Sequence, residues 1–264
     1  MTREAFRARY GPWAVVAGAA LGIGAAFARQ LAERGLHLVL IDYRASELHA
    51  LAAALRERNG VRVRAVVLDL AQADLLEALR PQLGDSEVGL LIYNAAAVQI
   101  GRFHKLAVED VARIVDVNCR APTLLAHELG RGMRMRGRGG IVLMSSMAGM
   151  QGTSLIATYA ATKAFNLTLA EGLWSELRQH GVDVMACRPG ATRTPAFEAA
   201  RPRRTLPMME PEQVAREALD ALGSGPSMVP GWGNRVSSFV LGRLVPRRLA
   251  IRVLSGLLES LYEG

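Results

Sequence analysis

Six short runs rich in aliphatic and β-branched residues, WAVVA, LHLVLI, VRVRAVVL, VGLLIY, GGIVLMS and VDVMAC, alternate along the chain with longer segments of helical periodicity. A further short run, SMVP, follows a helix expected over about 211–222. Strict alternation of this kind implies a parallel sheet with helices on both faces, because each strand must cross over a helix before pairing again. Runs such as LVLI and LLIY are apolar without a break, as strands covered on both sides require. With 264 residues, half of them apolar, the chain can bury a sizeable core. The expectation is α/β: a single doubly wound, Rossmann-type domain with a mostly parallel sheet of about seven strands. Residues 1–231 form its body and 232–264 a helical extension of the same domain. After Arg193 the rhythm breaks in TPAFEAARPRRTLPMMEP, and about 195–210 reads as a substrate lid offering Phe197, Leu206, Met208 and Met209 as adaptable apolar groups.

Charge and cysteine content narrow the function classes. The formal charge of +8 is spread over helix faces with acids interleaved, and the two denser clusters, ARPRR at 200–204 and PRR at 246–248, lack interleaved aromatics, so no nucleic-acid partner is expected. Cys119 and Cys187 form no C-x-x-C pair, and the five histidines share no helical face at ligand spacing, so no metal is expected. Arg3, Arg7 and Arg9 before an apolar run imitate a secretory leader, yet that run carries glycines at regular offsets and flows into RQLAERG. No apolar run reaches the roughly 20 residues of a membrane span. A soluble, cytoplasmic protein is expected.

The first strand opens into AGAALGIG, with Gly18, Gly22 and Gly24 at the strand-to-helix turn. Glycines there let backbone turn tightly and approach a pyrophosphate, whose charge meets the N-terminus of the next helix. The second strand ends in LIDY, and Asp42 lies 18 residues after Gly24, near the interval at which dinucleotide folds set an acid against the adenosine ribose. A carboxylate there accepts from the ribose hydroxyls and repels a 2′-phosphate. NAD is therefore expected over NADP, although Arg44 close by keeps NADP open. Further along, YAATK places Tyr159 and Lys163 four residues apart on one face of a helix.

With AGAALGIG, YNAAA, SSMAG, YAATK and RPGATRT in this order, the chain resembles the short-chain dehydrogenase/reductase family over about Pro12 to Thr194. Ser146 falls 13 residues before Tyr159, the family's spacing. The resemblance implies an NAD(P)-dependent oxidoreductase that transfers hydride between the cofactor and a secondary alcohol or ketone. It implies Tyr159 as general acid/base, Lys163 favouring the phenolate and holding the nicotinamide ribose, and Ser146 holding the substrate oxygen. Ser145 is left as a strand-end packing residue. Asn118 completes the catalytic set: Pro122, four residues on, cannot donate to its carbonyl, so that carbonyl is expected to be free to hold a relay water. The cofactor-binding set becomes Gly18, Gly22, Ile23, Gly24, Asp42, Asp69, Leu70, Asn94, Tyr159, Lys163, Pro189, Gly190 and Thr194. Asp69 and Asn94 border the adenosine, while Pro189, Gly190 and Thr194 meet the carboxamide.

The chain departs from the family at Ala17, Ala20 and Leu21, where side chains that brace the loop are missing, and at Ala96. It also runs on through a tail with apolar residues and arginines from Trp232 onward. That tail is either a helix packed on its own domain or an interfacial helix touching anionic lipid. A bulky apolar substrate of steroid, terpenoid or acyl-chain type suits such a cover. A homodimer is expected through the helix starting near Tyr159, whose Phe165, Leu167, Leu169, Leu173 and Trp174 exceed one buried stripe. The alternative is a noncatalytic dinucleotide-sensing or membrane-associated scaffold of the same fold, which would not need Asn118, Ser146, Tyr159 and Lys163 together.

Overall fold

The computed structural model describes residues 1–200, 202–203 and 207–263; Leu206, assigned above to the lid, lies outside them. Seven strands form one sheet: β1 (Trp13–Ala17), β2 (His37–Asp42), β3 (Val63–Val67), β4 (Val88–Tyr93), β5 (Gly139–Met144), β6 (Val182–Cys187) and β7 (Ser227–Met228). Their order is β3-β2-β1-β4-β5-β6-β7, and every neighbouring pair is parallel. The helices are α1 (Arg3–Tyr10), α2 (Gly22–Glu33), α3 (Ala45–Asn59), α4 (Leu75–Leu83), α5 (Val108–Val115), α6 (Ala121–Arg136), α7 (Ala157–Leu177), α8 (Pro195–Ala199), α9 (Pro211–Ala221), α10 (Trp232–Phe239) and α11 (Arg247–Tyr262).

β1, β4 and β5 are buried at every position, which explains why their sequences do not alternate. Successive side chains instead serve two cores. Ala14 and Val16 pack with residues of α2 and α9 on one face, whereas Trp13, Val15 and Ala17 pack with residues of α4 and α6 on the other. Strand order reverses at β1: β2 and β3 lie on one side, and β4, β5, β6 and β7 on the other. In an open parallel sheet this reversal leaves a crevice beyond the strand ends, where ligands bind.

Helix α1 was not anticipated. Thr2 caps it by accepting from Ala5 N at 3.2 Å, and Phe6 and Tyr10, one turn apart, are both buried. Arg9 and Tyr10 then close on Asp183 of β6, the tyrosine hydroxyl donating at 2.6 Å. The arginines that imitate a leader thus belong to a docked helix.

In the expected lid segment, α8 starts at Pro195, with Phe197 N donating to Thr194 Oγ1 at 3.2 Å. Met209 is no part of a cover. It pairs with Thr192 in a parallel bridge and packs against the first core. Phe197 and Met208 remain the apolar groups of that segment. The tail does pack on the domain. Ser238 Oγ meets Met150 Sδ at 3.5 Å, Ser154 N donates to Ser255 Oγ at 3.1 Å, and Arg102 forms ion pairs with Glu259 and Glu263.

Candidate active site

The loops after β1 and β4 face each other across the crevice. Gly18 has φ of 75°, and a Cβ there would lie 2.5 Å from Ala95 Cα. A Cβ on Gly24 would lie 1.9 Å from the Gly18 carbonyl oxygen. Only glycine lets these loops and α2 close together. A Cβ on Gly22 would come 3.0 Å from the Thr194 methyl, so Thr194 reaches the glycine loop from the far end of the chain. Leu21, the N-cap of α2, supplies no side-chain cap. The first-turn amides of Gly22, Ile23 and Gly24 therefore keep the positive helix end available to an anion.

The bracing side chains absent at Ala17, Ala20 and Leu21 are replaced by other groups. Gly18 N and Ala19 N donate to Ile41 O at 2.8 and 3.1 Å, and Asn94 Nδ2 donates to Gly18 O at 2.8 Å. Asp42, 5% exposed, supplies the rest: Oδ2 accepts from Ala20 N at 3.0 Å and Oδ1 from Arg44 N at 3.1 Å. The Arg44 guanidinium sits 3.7 Å from the same carboxylate. Asp42 is thus a brace of the glycine loop.

Asp69 lies beyond β3, which ends at Val67. Arg113 of α5 grips it with two bonds, 2.9 and 3.1 Å, and holds its carboxyl below the usual range. No sequence signal marked Arg113. Leu70 turns its side chain into the second core.

At the other end of the groove, β5 and α7 are clasped together. Ser145 Oγ donates to Lys163 O at 2.6 Å, and Lys163 Nζ donates to Met144 O at 2.7 Å. A Cβ on Gly149 would sit 2.7 Å from Ala164 N, so the turn after Ser146 lies flush on the helix. Ser145 is the packing residue its position suggested. Ser146 Oγ accepts from Ala148 N at 3.1 Å, and Met147 N donates to Pro189 O at 3.0 Å, which brings the Pro189–Gly190 segment alongside. Asn234 of α10 packs so closely on Gly190 that a Cβ there would meet its Oδ1 at 2.6 Å.

Lys163 Nζ lies 5.5 Å from the centre of the Tyr159 ring. Burial lowers the Lys163 ammonium to about 8. Burial also pushes the Tyr159 phenol up, and the Ser146 hydroxyl pulls it back down. Within the protein alone desolvation governs the phenol, so the expected drive toward phenolate from Lys163 is not what these groups produce.

Asn118, fully buried, sits in a π turn over Asp116–Arg120. Its side chain ties loop to helix: Oδ1 accepts from Ala97 N at 2.7 Å, and Nδ2 donates to Ala97 O at 2.9 Å and Thr162 Oγ1 at 3.0 Å. Its carbonyl, expected to be left without a donor, has one, which occupies one of its two lone pairs and leaves the other for a water. Asn166 Nδ2 donates to it at 2.9 Å. Asn166 is 1% exposed and its Oδ1 has no partner. The signal for it was a polar residue in the apolar run AFNLTLA, three positions after Lys163 on the helix.

The sites at Asp42 and Asp69 and those at Ser146, Tyr159 and Lys163 therefore stand apart along one row of strand ends. From β3 to β5 the row is about 19 Å long, at about 4.8 Å per strand step. An extended, two-ended ligand with an anionic centre fits it. Among the described residues no three His, Cys, Asp or Glu side chains gather to hold a metal ion.

A family model described as short chain dehydrogenase matches residues 12–205. The 7β-hydroxysteroid dehydrogenase of Clostridium sardiniense is 32% identical over 233 residues, covering 87% of this chain and 89% of that protein. A solved 7β-hydroxysteroid dehydrogenase structure superposes with a TM-score of 0.89 at 27% identity, covering 94% of this chain and 98% of that one. A short-chain dehydrogenase from Sphingobium yanoikuyae, solved in complex with NADPH, gives 0.78 at 34% identity, covering 89% and 94%.

Proposed function

This chain belongs to the short-chain dehydrogenase family, and from that premise we propose how its own residues divide the work of the reaction. It is an oxidoreductase that transfers hydride between a nicotinamide cofactor and an alcohol or ketone. The groove fits such a cofactor: Gly18, Gly22 and Gly24 leave room for backbone to meet the pyrophosphate, the uncapped start of α2 faces its charge, and Asn94 and Asp69 border the adenosine. When bound, the nicotinamide gives or takes the hydride.

The observation that carries the assignment of roles is the clasp of β5 on α7, made by Ser145 and Lys163, which brings the half-buried Ser146 and Tyr159 beside the buried Lys163. Ser146 Oγ hydrogen-bonds the substrate oxygen, and Tyr159 Oη passes a proton to it during reduction or takes one from it during oxidation. Lys163 Nζ, leaving the Met144 carbonyl, holds the nicotinamide ribose and places positive charge beside the phenol. Asn118 positions α7 against the loop after β4, and Pro189, Gly190 and Thr194 flank the carboxamide. Tyr159→Phe tests these roles: turnover should fall by roughly 10²-fold or more while NADH binding, followed by fluorescence, persists. Activity that survives this substitution would overturn the assignment.

We place NAD ahead of NADP as the cofactor. The support is the carboxylate of Asp42 at the end of β2, where it opposes a 2′-phosphate; Arg44 beside it limits that preference. The substrate in this reading is a bulky, apolar secondary alcohol or ketone, supported by the hydroxysteroid relative and by the apolar Phe197 and Met208 in the segment that follows Thr194. A homodimer through α7 has as support the exposed Phe165 and the shallow groove it forms with Leu169, Gly172 and Leu173. Leu167, Leu169, Leu173 and Trp174 are all partly buried against their own core, so Phe165 is the group of this set left exposed. A cytoplasmic setting agrees with two unpaired cysteines.

A further inference from the structure

Packing and lipid contact stood as alternatives for the tail, yet α10 and α11 each present two faces. One face is docked: Ser238, Ala250 and Leu261 are buried, and Ser238 and Ser255 meet the turn and loop that follow Ser146. The other is apolar and exposed. On α10 it runs Trp232, Val236, Phe239, at spacings of four and three; on α11 it runs Leu249, Val253, Leu257, at spacings of four. Trp232 is 78% exposed and Leu244, between the helices, 65%. Stripes of this periodicity ordinarily face a core. Here the domain does not supply one.

The charge of the segment selects what covers it. From 232 to 258 the sequence holds five arginines, Arg235, Arg243, Arg247, Arg248 and Arg252, and no aspartate or glutamate. Arg235 is paired with Glu217 at 3.0 Å. The other four are exposed, and none meets a carboxylate among the described residues. A second copy of the chain docking through this face would set arginines against arginines, since a two-fold contact repeats the same patch. Nucleic acid would satisfy the charge and leave leucines and valines uncovered. An anionic lipid leaflet meets both demands, accepting aliphatic side chains below its headgroups and arginines among them. No helix among the described residues is long and apolar enough to cross a membrane, so the contact is with the surface.

We propose that α10 and α11 form a docking face for an anionic membrane surface, with Trp232, Phe239 and Leu249 entering the headgroup boundary and Arg243, Arg247, Arg248 and Arg252 meeting lipid phosphates. Because the same helices rest on the turn after Ser146, docking holds the substrate side of the groove next to the bilayer. The proposal stands on the tail alone and not on the reaction. An active enzyme that ignores vesicles would sink it and leave the oxidoreductase reading intact.

The test uses the full chain with NADH and two vesicle types, phosphatidylcholine alone and phosphatidylcholine mixed with phosphatidylglycerol. Cosedimentation should occur with the anionic vesicles and weaken as salt rises. With Trp13 and Trp174 replaced by Phe and NADH omitted, Trp232 emission should shift to shorter wavelength on their addition. Replacing Arg243, Arg247, Arg248 and Arg252 together by glutamine should weaken binding by roughly tenfold or more, and Trp232→Ser with Phe239→Ser should do the same while circular dichroism is unchanged. Absence of binding, binding unaffected by either set, or loss of self-association by the serine variant without any vesicle contact would each overturn the proposal.

Discussion

Lys163 is an ammonium held in a pocket that does not favour its charge, and the cost is measurable. Its pKa falls from 10.5 to about 8 because burial strips water from the charged form. At about 1.36 kcal/mol per unit, the native state bears about 3 kcal/mol of penalty wherever lysine is charged both folded and unfolded. Below pH 8 the full penalty applies. Between pH 8 and 10.5 the native protein sheds the proton while the unfolded chain keeps it, so the unfolded state binds more protons and stability rises with pH. Above 10.5 the lysine is neutral in both states and the penalty is gone. Lys163→Met isolates this from other titrating groups. The variant leaves the Met144 carbonyl without its 2.7 Å donor, costing about 1–3 kcal/mol, but that loss does not depend on pH. Urea unfolding of wild type and variant without added nucleotide should show their difference in stability shifting by about 2.5 kcal/mol between pH 7 and pH 10, in favour of the wild type at the higher pH. A difference constant over that range would refute the depressed pKa and the reasoning from burial.

Asp42→Ala should narrow the preference for NAD over NADP in kcat/KM, and should also lower thermal stability by about 1–3 kcal/mol equivalent, because Ala20 N loses its buried acceptor. Equal kcat/KM for the two cofactors in the wild type would refute the specificity argument. Asn166→Leu should loosen the Asn118 clamp and lower kcat more than it raises KM, with part of the stability loss offset by removing the unpartnered Oδ1. Unchanged kcat and pH profile would show that the Asn118 carbonyl needs no donor from Asn166. Phe165→Glu should convert a dimer to monomer in sedimentation velocity, and a wild type that sediments as monomer at micromolar concentration would remove the α7 contact.

β1, β4 and β5 were legible because strands covered on both faces read as short uninterrupted apolar runs, and β3 because valine alternates with arginine along its half-exposed edge. The glycine positions were legible for a related reason: Gly18 and Gly24 sit where any Cβ would collide with backbone. What escaped were partners distant in sequence. Nothing local says that Asn166 turns to the Asn118 carbonyl 48 residues away, or that Arg113 closes on Asp69. Asp42 was read as a ligand group because spacing measures position, whereas its bond to Ala20 N depends on how the loop folds back. Met209 looked like a lid residue by composition, and only the bridge to Thr192 reveals it as an anchor. Helix α1 could have been found from Thr2 and the Phe6–Tyr10 spacing, signals masked by the arginines among them.

The clasp of α1 on β6 also bears on the order in which the molecule is completed. Tyr10 leaves the ribosome 173 residues ahead of the Asp183 it bonds. At about 5–20 residues per second, α1 waits roughly ten to thirty seconds for its anchor. An eight-residue helix cannot hold itself in water for that time, so Phe6 and Tyr10 gain their cover in steps, from Arg34, β4 and β5 and last from Asp183 of β6. The amino-terminal helix therefore closes a nearly finished sheet. Pulse-labelled hydrogen exchange during refolding should find α1 amides protected no earlier than those of β4 and β5, the strands it packs on, and earlier protection of α1 would contradict this dependence.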